Sequence, residues 1–353
     1  LKVSENYDEA QQRYTLTIKQ HCPDTPGQKN KQPFHIPLAV GLLDAQGQVV
    51  LLQLEGENSA SESNTRMLSL TEAEQQFSFI NVSSKPTPSL GRGFSAPVSI
   101  KMDRSDAELA FLFAHDSDEF NRWDAGQQLM LNTMLRLIAK HQQGEVLTLD
   151  ALLIEAFRKT LLHPSLDKAL IAQALSLPSE SYLADQCEVV DVDAIHAVRQ
   201  FMRTQLAQAL HDDWLKTYKA NQSSDSYQFN AQAMAQRSLK NLCLSYLMEL
   251  DDAAIQQTCM QQFEQANNMS DALAALAILN QHDIPQRQQA LDAFYDKWQH
   301  DQQVVEKWFA IQAGSQLPAT LQQVQQLMQH PAFSIKNPNK VRSLIGRFCA
   351  GNP

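Results

Sequence analysis

A zinc site on a helix needs two imidazoles four residues apart, or at a comparable spacing, so that both reach one metal ion. The ten histidines of this chain include no such pair. His141-Gln142-Gln143-Gly144-Glu145 lacks the second His and carries the marks of a helix end, a cation near the negative pole of the dipole followed by a glycine cap. His115-Asp116 and His211-Asp212-Asp213 are expected to be polar surface clusters. Serine-based hydrolysis would call for a G-x-S-x-G elbow, and phosphate binding for a Walker loop or G-x-G-x-x-G. None of these is present, and Gly91-Arg92-Gly93-Phe94 is a lone G-x-G in strand-like sequence that predicts a bulge or turn. Asp118-Glu119 and Asp251-Asp252 stand at helix starts, where a carboxylate meets the positive end of the dipole. No catalytic, cofactor-binding or metal-ligating residue is expected from these patterns.

The elements that would position a site change character near residue 103. Before it, Tyr14-Thr15-Leu16-Thr17-Ile18 alternates with period two. Further short runs follow at Phe34–Leu42, Val49–Leu52, Phe77–Ile80 and Pro97–Ile100, separated by turn signals such as Asp44-Ala45-Gln46-Gly47 and Pro86-Thr87-Pro88. About six or seven strands in so short a stretch predict an immunoglobulin-like β-sandwich over 1–103. After it, Ser105-Asp106-Ala107-Glu108 is a capping box, and Trp123, Met130, Leu131, Met134, Leu137 and Ile138 form one helical stripe facing a core. From Leu250 the helix starts, at Asp251, Ser270, Pro285, Asp301, Pro318 and Pro338, fall roughly 14 to 20 residues apart, the spacing of stacked helix pairs. The expected fold is mixed and multi-domain: the sandwich, then an all-α superhelical armadillo- or HEAT-like domain over 104–353.

Charge and composition exclude several classes. Lys+Arg 29 against Asp+Glu 39 leaves a net charge of −10, with no basic cluster to grip phosphates, so nucleic acid is not an expected partner. No run approaches the roughly 18 apolar residues of a membrane span. The five cysteines are odd in number, widely spaced and free of C-x-x-C, which predicts reduced, mostly buried thiols and a cytoplasmic protein. The chain starts at Leu1 without Met. It finishes just after an apolar stripe, Val341, Leu344, Ile345 and Phe348, that a solenoid would normally cover, so both ends suggest a fragment. The stripe is expected to be partly exposed or packed on another copy.

Several strings carry a specific resemblance: Gln32-Pro33-Phe34-His35-Ile36-Pro37, Gly93-Phe94-Ser95-Ala96-Pro97-Val98, Phe120-Asn121-Arg122-Trp123-Asp124-Ala125, Glu264-Gln265-Ala266-Asn267-Asn268-Met269-Ser270-Asp271, Tyr295-Asp296-Lys297-Trp298, Lys307-Trp308-Phe309, and Asn337-Pro338-Asn339-Lys340-Val341-Arg342-Ser343. In order and over essentially all 353 residues, the chain resembles the C-terminal portion of the bacterial aminopeptidase N family of zinc-dependent alanyl aminopeptidases. The resemblance implies a small β-sandwich and a truncated helical domain without the catalytic domain, whose H-E-x-x-H helix, G-x-M-E-N motif and catalytic Tyr have no counterpart here. It implies zinc only in the parent enzyme, the upstream catalytic domain as partner, and short peptides as substrates that a helical bowl encloses and gates. One residue carries over as a substrate contact, Arg342, whose guanidinium would attract a peptide's C-terminal carboxylate. The chain alone is expected to be inactive. The residues themselves leave a second reading open, a free-standing helical solenoid that binds proteins.

Overall fold

A computed structural model describes residues 1–61, 63–223 and 226–352. The chain forms two compact units, one of Leu1–Leu166 with Gln173–Cys187 and the other of Asp167–Ala172 with Glu188–Pro353. Among the described residues no helix is long and apolar enough to cross a membrane.

The first unit opens with the strands β1 (Lys2–Asp8), β2 (Arg13–Lys19), β3 (Ile36–Leu43), β4 (Gln53–Leu54), β5 (Arg66–Leu70), β6 (Glu74–Ile80), β7 (Thr87–Leu90) and β8 (Lys101–Met102). They build a five-stranded sheet in the order β4-β6-β2-β1-β8 and a three-stranded sheet in the order β5-β3-β7. The alternation of β2 does what period two requires: Tyr14, Leu16 and Ile18 are wholly buried, and they share one core with Leu38, Val40 and Leu42 of β3 and Leu68 and Leu70 of β5.

Three readings of this region need correction. Val49–Leu52 and Pro97–Ile100 form no strand, and only the two-residue β4 and β8 lie just beyond them. Thr87-Pro88, expected to be a turn, belongs to β7, which pairs with β3 through Leu42 and Pro88. β7 lies at the edge of its sheet, where a residue without an N–H costs no ladder hydrogen bond. β5 came with no forecast at all.

Helices follow: α1 (Asp106–His115), α2 (Glu119–Gln142), α3 (Ala151–Leu161), α4 (Lys168–Ala174), through which the division between units passes, and α5 (Glu180–Asp185). The Ser105 and Glu108 capping box forms in full, with Ser105 N–H donating to Glu108 at 2.8 Å and Glu108 N–H to Ser105 Oγ at 3.2 Å. Of the α2 stripe, Met130, Met134, Leu137 and Ile138 are buried, while Trp123 and Leu131 are half-buried. Gly144, at φ 71°, follows the end of α2 in the left-handed region, as the glycine cap predicts.

The second unit holds α6 (Val192–Ala209), α7 (His211–Ala220), α8 (Ala231–Leu247), α9 (Ala253–Gln265), α10 (Met269–Leu279), α11 (Pro285–Trp298), α12 (Gln302–Ala313), α13 (Thr320–Leu327), α14 (Pro338–Val341) and α15 (Arg347–Gly351), with a π-helical stretch at Arg342–Gly346. Each of α7 to α12 touches its chain neighbour or the next helix but one, so α8, α10 and α12 lie side by side as in stacked pairs. The starts shift by a residue or two from those expected. Asp252, not Asp251, caps α9, and Asn268, not Ser270, caps α10, because each presents its oxygen to free amides of the first turn. Trp214 and Tyr246 stack at 4.4 Å and 7°, wholly buried, and pin α7 to α8. In the last stripe Leu344 is buried, and Val341, Ile345 and Phe348 stay half-buried. Of the cysteines only Cys243 and Cys259 are buried; Cys22 and Cys187 are half-buried and Cys349 is exposed.

Packing between α1 and α2 depends on a missing side chain. A Cβ at Gly126 would lie 2.8 Å from Cδ2 and Cε2 of Phe113, which is wholly buried and held edge-on to Phe157 at 5.8 Å. Alanine adds about 1 kcal/mol of helix propensity over glycine. Overpacking of a fixed ring costs about 1–3 kcal/mol and outweighs that gain. Gly126→Ala should therefore lower the stability of the first unit by about 1 kcal/mol, read as a fall in thermal midpoint by circular dichroism.

Candidate functional site

The most developed polar constellation lies in the second unit. Lys240 sits in an apolar stretch of α8 and is buried together with Asp271, the third residue of α10; Nζ reaches Oδ2 at 2.7 Å. Asp271 is placed by the cap of its own helix, since Asn268 Oδ1 accepts its backbone N–H at 2.9 Å and Asn268 Nδ2 donates to its Oδ2 at 3.1 Å. Asn241 Nδ2 donates to Asp271 Oδ1 at 3.0 Å, Gln262 Nε2 donates to Asn241 Oδ1 at 2.8 Å, and the Tyr218 hydroxyl donates to Gln262 Oε1 at 3.1 Å. This chain of bonds lines a cavity of about 590 Å³ bordered by α7, α8, α9 and the start of α10.

Chemically the cavity offers amide donors and acceptors around an ion pair closed on itself. Its lining has no His or Cys to activate the hydroxyls of Ser223 and Thr258, and its amides suit uncharged polar groups. Nearby Cys259 is buried behind it, and burial pushes its thiol up to about 12, as it does that of Cys243.

The sequence-derived candidates are scattered. Arg342 opens the π-helical stretch after α14, whose N-cap Asn337 accepts from Asn339 N–H at 3.0 Å. It is exposed, and its guanidinium meets no hydrogen-bond or ion-pair partner among the described residues. His115-Asp116 is not the surface cluster expected: His115 is half-buried, 3.5 Å from Lys159 Nζ, and Asp116 is wholly buried. His211 is half-buried and pairs with the exposed Asp212 at 2.9 Å. Burial lowers the pKa of His115, His163, His282 and His330, which favours neutral imidazoles. Asp118 caps α2 through Asn121 N–H at 3.0 Å and also accepts Gly93 N–H at 2.7 Å. Among the described residues no group of three or more His, Cys, Asp and Glu stands close enough to hold a metal ion.

Sequence reasoning passed over Lys240 and Asp271, 31 positions apart. The one available signal was a lysine inside the apolar run Leu239-Lys240-Asn241-Leu242-Cys243. Taking one partner from a buried pair leaves a bare charge, at a cost of about 3–5 kcal/mol. Lys240→Met should therefore destabilise the second unit strongly, while Lys240→Met with Asp271→Leu should recover much of the loss; chemical denaturation of both variants measures the difference.

Two family descriptions match the chain, an Ig-like fold of the domain of unknown function DUF3458 over residues 1–103 and "Domain of unknown function (DUF3458_C) ARM repeats" over residues 106–353. Aminopeptidase N of Escherichia coli (strain K12) is 40% identical over 351 residues, 99% of this chain and 40% of that protein. Aminopeptidase N of Haemophilus influenzae is 38% identical over 354 residues, 100% of this chain and 40% of that protein. A crystal structure of Legionella pneumophila aminopeptidase A in complex with aspartic acid matches 98% of this chain and 39% of its own, at 29% identity and a TM-score of 0.78. The chain thus spans about 40% of the length of these curated relatives. An Ig-like fold followed by ARM repeats is what the two family descriptions together specify, and this chain belongs to the DUF3458 family, matching about 40% of the length of bacterial aminopeptidase N.

Proposed function

We propose that this chain is the non-catalytic C-terminal portion of a broad-specificity zinc aminopeptidase that removes N-terminal residues from peptides. In that reading it supports the catalytic domain of the same polypeptide, encloses the chamber in front of the active site and gates the entry of short peptides. The observation that carries the reading is the collinear likeness of 98–100% of the chain to about 40% of proteins that bear aminopeptidase names. In that reading the zinc belongs to the catalytic domain, outside the residues of this chain. Thiol cysteines, two of them exposed or half-buried near the termini, suit a reducing compartment, and we place the protein in the cytoplasm.

The test is direct. The chain alone should not hydrolyse alanyl-p-nitroanilide with added zinc, and mixing it with the separately produced upstream half should raise that half's activity. Hydrolysis by the chain alone would refute the assignment. Failure to raise activity, together with independent capture of folded proteins, would favour the free-standing solenoid.

Arg342 is the proposed substrate contact. Its guanidinium is exposed and unpartnered, which leaves all its donors for a carboxylate. In the full-length enzyme Arg342→Ala should raise KM by about tenfold, the loss of about 1.4 kcal/mol, for peptides with a free C-terminal carboxylate and leave amide substrates unchanged. An equal effect on both would remove the carboxylate role.

A further inference from the structure

Between β2 and β3 the chain makes a long loop that its own bonds fold back in the manner of a hairpin. Gln20 clamps the open end, since its Oε1 accepts the Phe34 N–H at 2.7 Å and its Nε2 donates to the Phe34 carbonyl at 2.9 Å. Nearer the tip, Asp24 Oδ1 accepts the Asn30 N–H at 3.0 Å. Thr25 and Gln28 exchange backbone bonds at 3.0 and 2.9 Å around Gly27, whose φ of 81° closes the turn. Between clamp and tip, Cys22 stands opposite Lys31, and Lys31 Nζ donates to Cys22 Sγ at 3.5 Å.

Both side chains are half-buried, so each is held in place and still meets solvent. Nζ has no other acceptor among the described residues. The remaining cysteines have no such neighbour. Cys187 Sγ meets the Leu183 carbonyl at 3.3 Å, Cys243 and Cys259 are buried, and the exposed Cys349 bonds no lysine among the described residues. A thiol attacks an activated carbonyl faster than an amine does, whereas an amide outlasts a thioester, so a thiol beside an amine passes an acyl group in one direction. An acyl carbon bonded to Sγ would come within the roughly 3–3.5 Å of Nζ that a near-attack arrangement requires.

We propose that Cys22 and Lys31 form a modification site that takes an acyl group from a thioester and delivers it to the Lys31 amine. In the first step the Cys22 sulfur attacks the thioester carbonyl: the new S–C bond forms, the old one breaks, and the thiol proton passes to the departing thiolate. In the second, Lys31 as the free amine attacks the same carbonyl: the C–N bond forms, the C–Sγ bond breaks, and a proton from nitrogen returns to Cys22. One thioester and one amine thus give one amide and one free thiol. The cysteine is regenerated, and no oxidant or reductant is consumed. The product has lost the charge of Lys31. The site stands on this loop alone and is independent of the proposed function.

Incubation of the full chain with acetyl-CoA at neutral pH, followed by peptide mass spectrometry over time, tests it. Lys31 should be acetylated at least about tenfold faster than Lys29, which is exposed two positions away and meets no thiol among the described residues. Cys22→Ser should bring Lys31 down to the rate of Lys29. Lys31→Arg should stop the reaction half-way and leave on Cys22 an acetyl group that hydroxylamine removes. Circular dichroism verifies that both variants fold, and the comparison of Lys31 with Lys29 in the unaltered chain needs neither. Equal acetylation of the two lysines, an unchanged Lys31 rate in folded Cys22→Ser, or no hydroxylamine-labile acetyl group in folded Lys31→Arg would each overturn the assignment.

Discussion

A charged side chain removed from water must be answered by opposite charge or by hydrogen bonds, and in the first unit that requirement falls on Arg92. Its side chain is 6% exposed. Its guanidinium donates to Ser117 Oγ, to Thr65 Oγ1 at 3.0 Å and to the Asn64 carbonyl at 3.1 Å, and it faces Asp116. These partners come from the loop before β5 and from the link between α1 and α2, so one cation ties the sandwich to the first helices. The backbone is bent to allow it. Gly91 and Gly93, at φ 73° and 61°, and Phe94, at 53°, form the tight turn that carries Arg92 inward, and the guanidinium lies where a Cβ of Gly41 would be. Arg122 completes the arrangement from α2, donating to the carbonyls of Asp116 at 2.8 Å and Ala114 at 2.9 Å, which the end of α1 leaves free.

The second unit solves the same problem with less charge. One buried pair, Lys240 with Asp271, is surrounded by amides that pass hydrogen bonds from α7 through α9 to α8 and α10. Gln312 and Gln323 continue the habit between α12 and α13 at 2.9 Å, and Asn280 and Gln281 bind the carbonyls of Ile311 and Gly314 at the end of α12. Amides both donate and accept, so each helix terminus can be joined to the next pair without a net charge to neutralise. This explains why a Gln-rich sequence with a 19% charged fraction still fixes the register of successive helices.

How much of this was legible follows from what each signal depends on. The Ser105 box, the alternation of β2 and the Asn337-Pro338 start are local, set by residues three or four apart, and they appear where the sequence places them. β7 and the two-residue β4 and β8 depend on which strand lies beside them, and a proline there reads as a turn until the edge position is known. Gly91-Arg92-Gly93 was recognisable as a turn, but nothing local says that its arginine is buried. His115-Asp116 reads locally as a polar surface cluster, whereas the burial of Asp116 goes with Arg92, 24 positions upstream along the chain. Lys240 and Asp271 were invisible for the same reason, since a buried charge is defined by partners far away in sequence.

The remaining orphaned atoms differ in kind. Asn221 Oδ1 and Asn280 Oδ1 lack donors, but each residue uses its Nδ2, toward Thr217 and Ile311 at 2.8 Å, so what is left over is one lone pair on a neutral group. Such a deficit costs on the order of 1–3 kcal/mol at most, and one water removes it. Arg104 Nη1 and Asp116 Oδ2 belong to ionisable groups, where the penalty is larger, but Asp116 faces Arg92 at 3.5 Å and its other oxygen accepts from Asp118 N–H at 2.9 Å. Around Asp116 the charges are closed within the fold, by the Arg92 guanidinium and by Arg122 on its carbonyl, so the burial of ionisable groups here is answered by the chain itself.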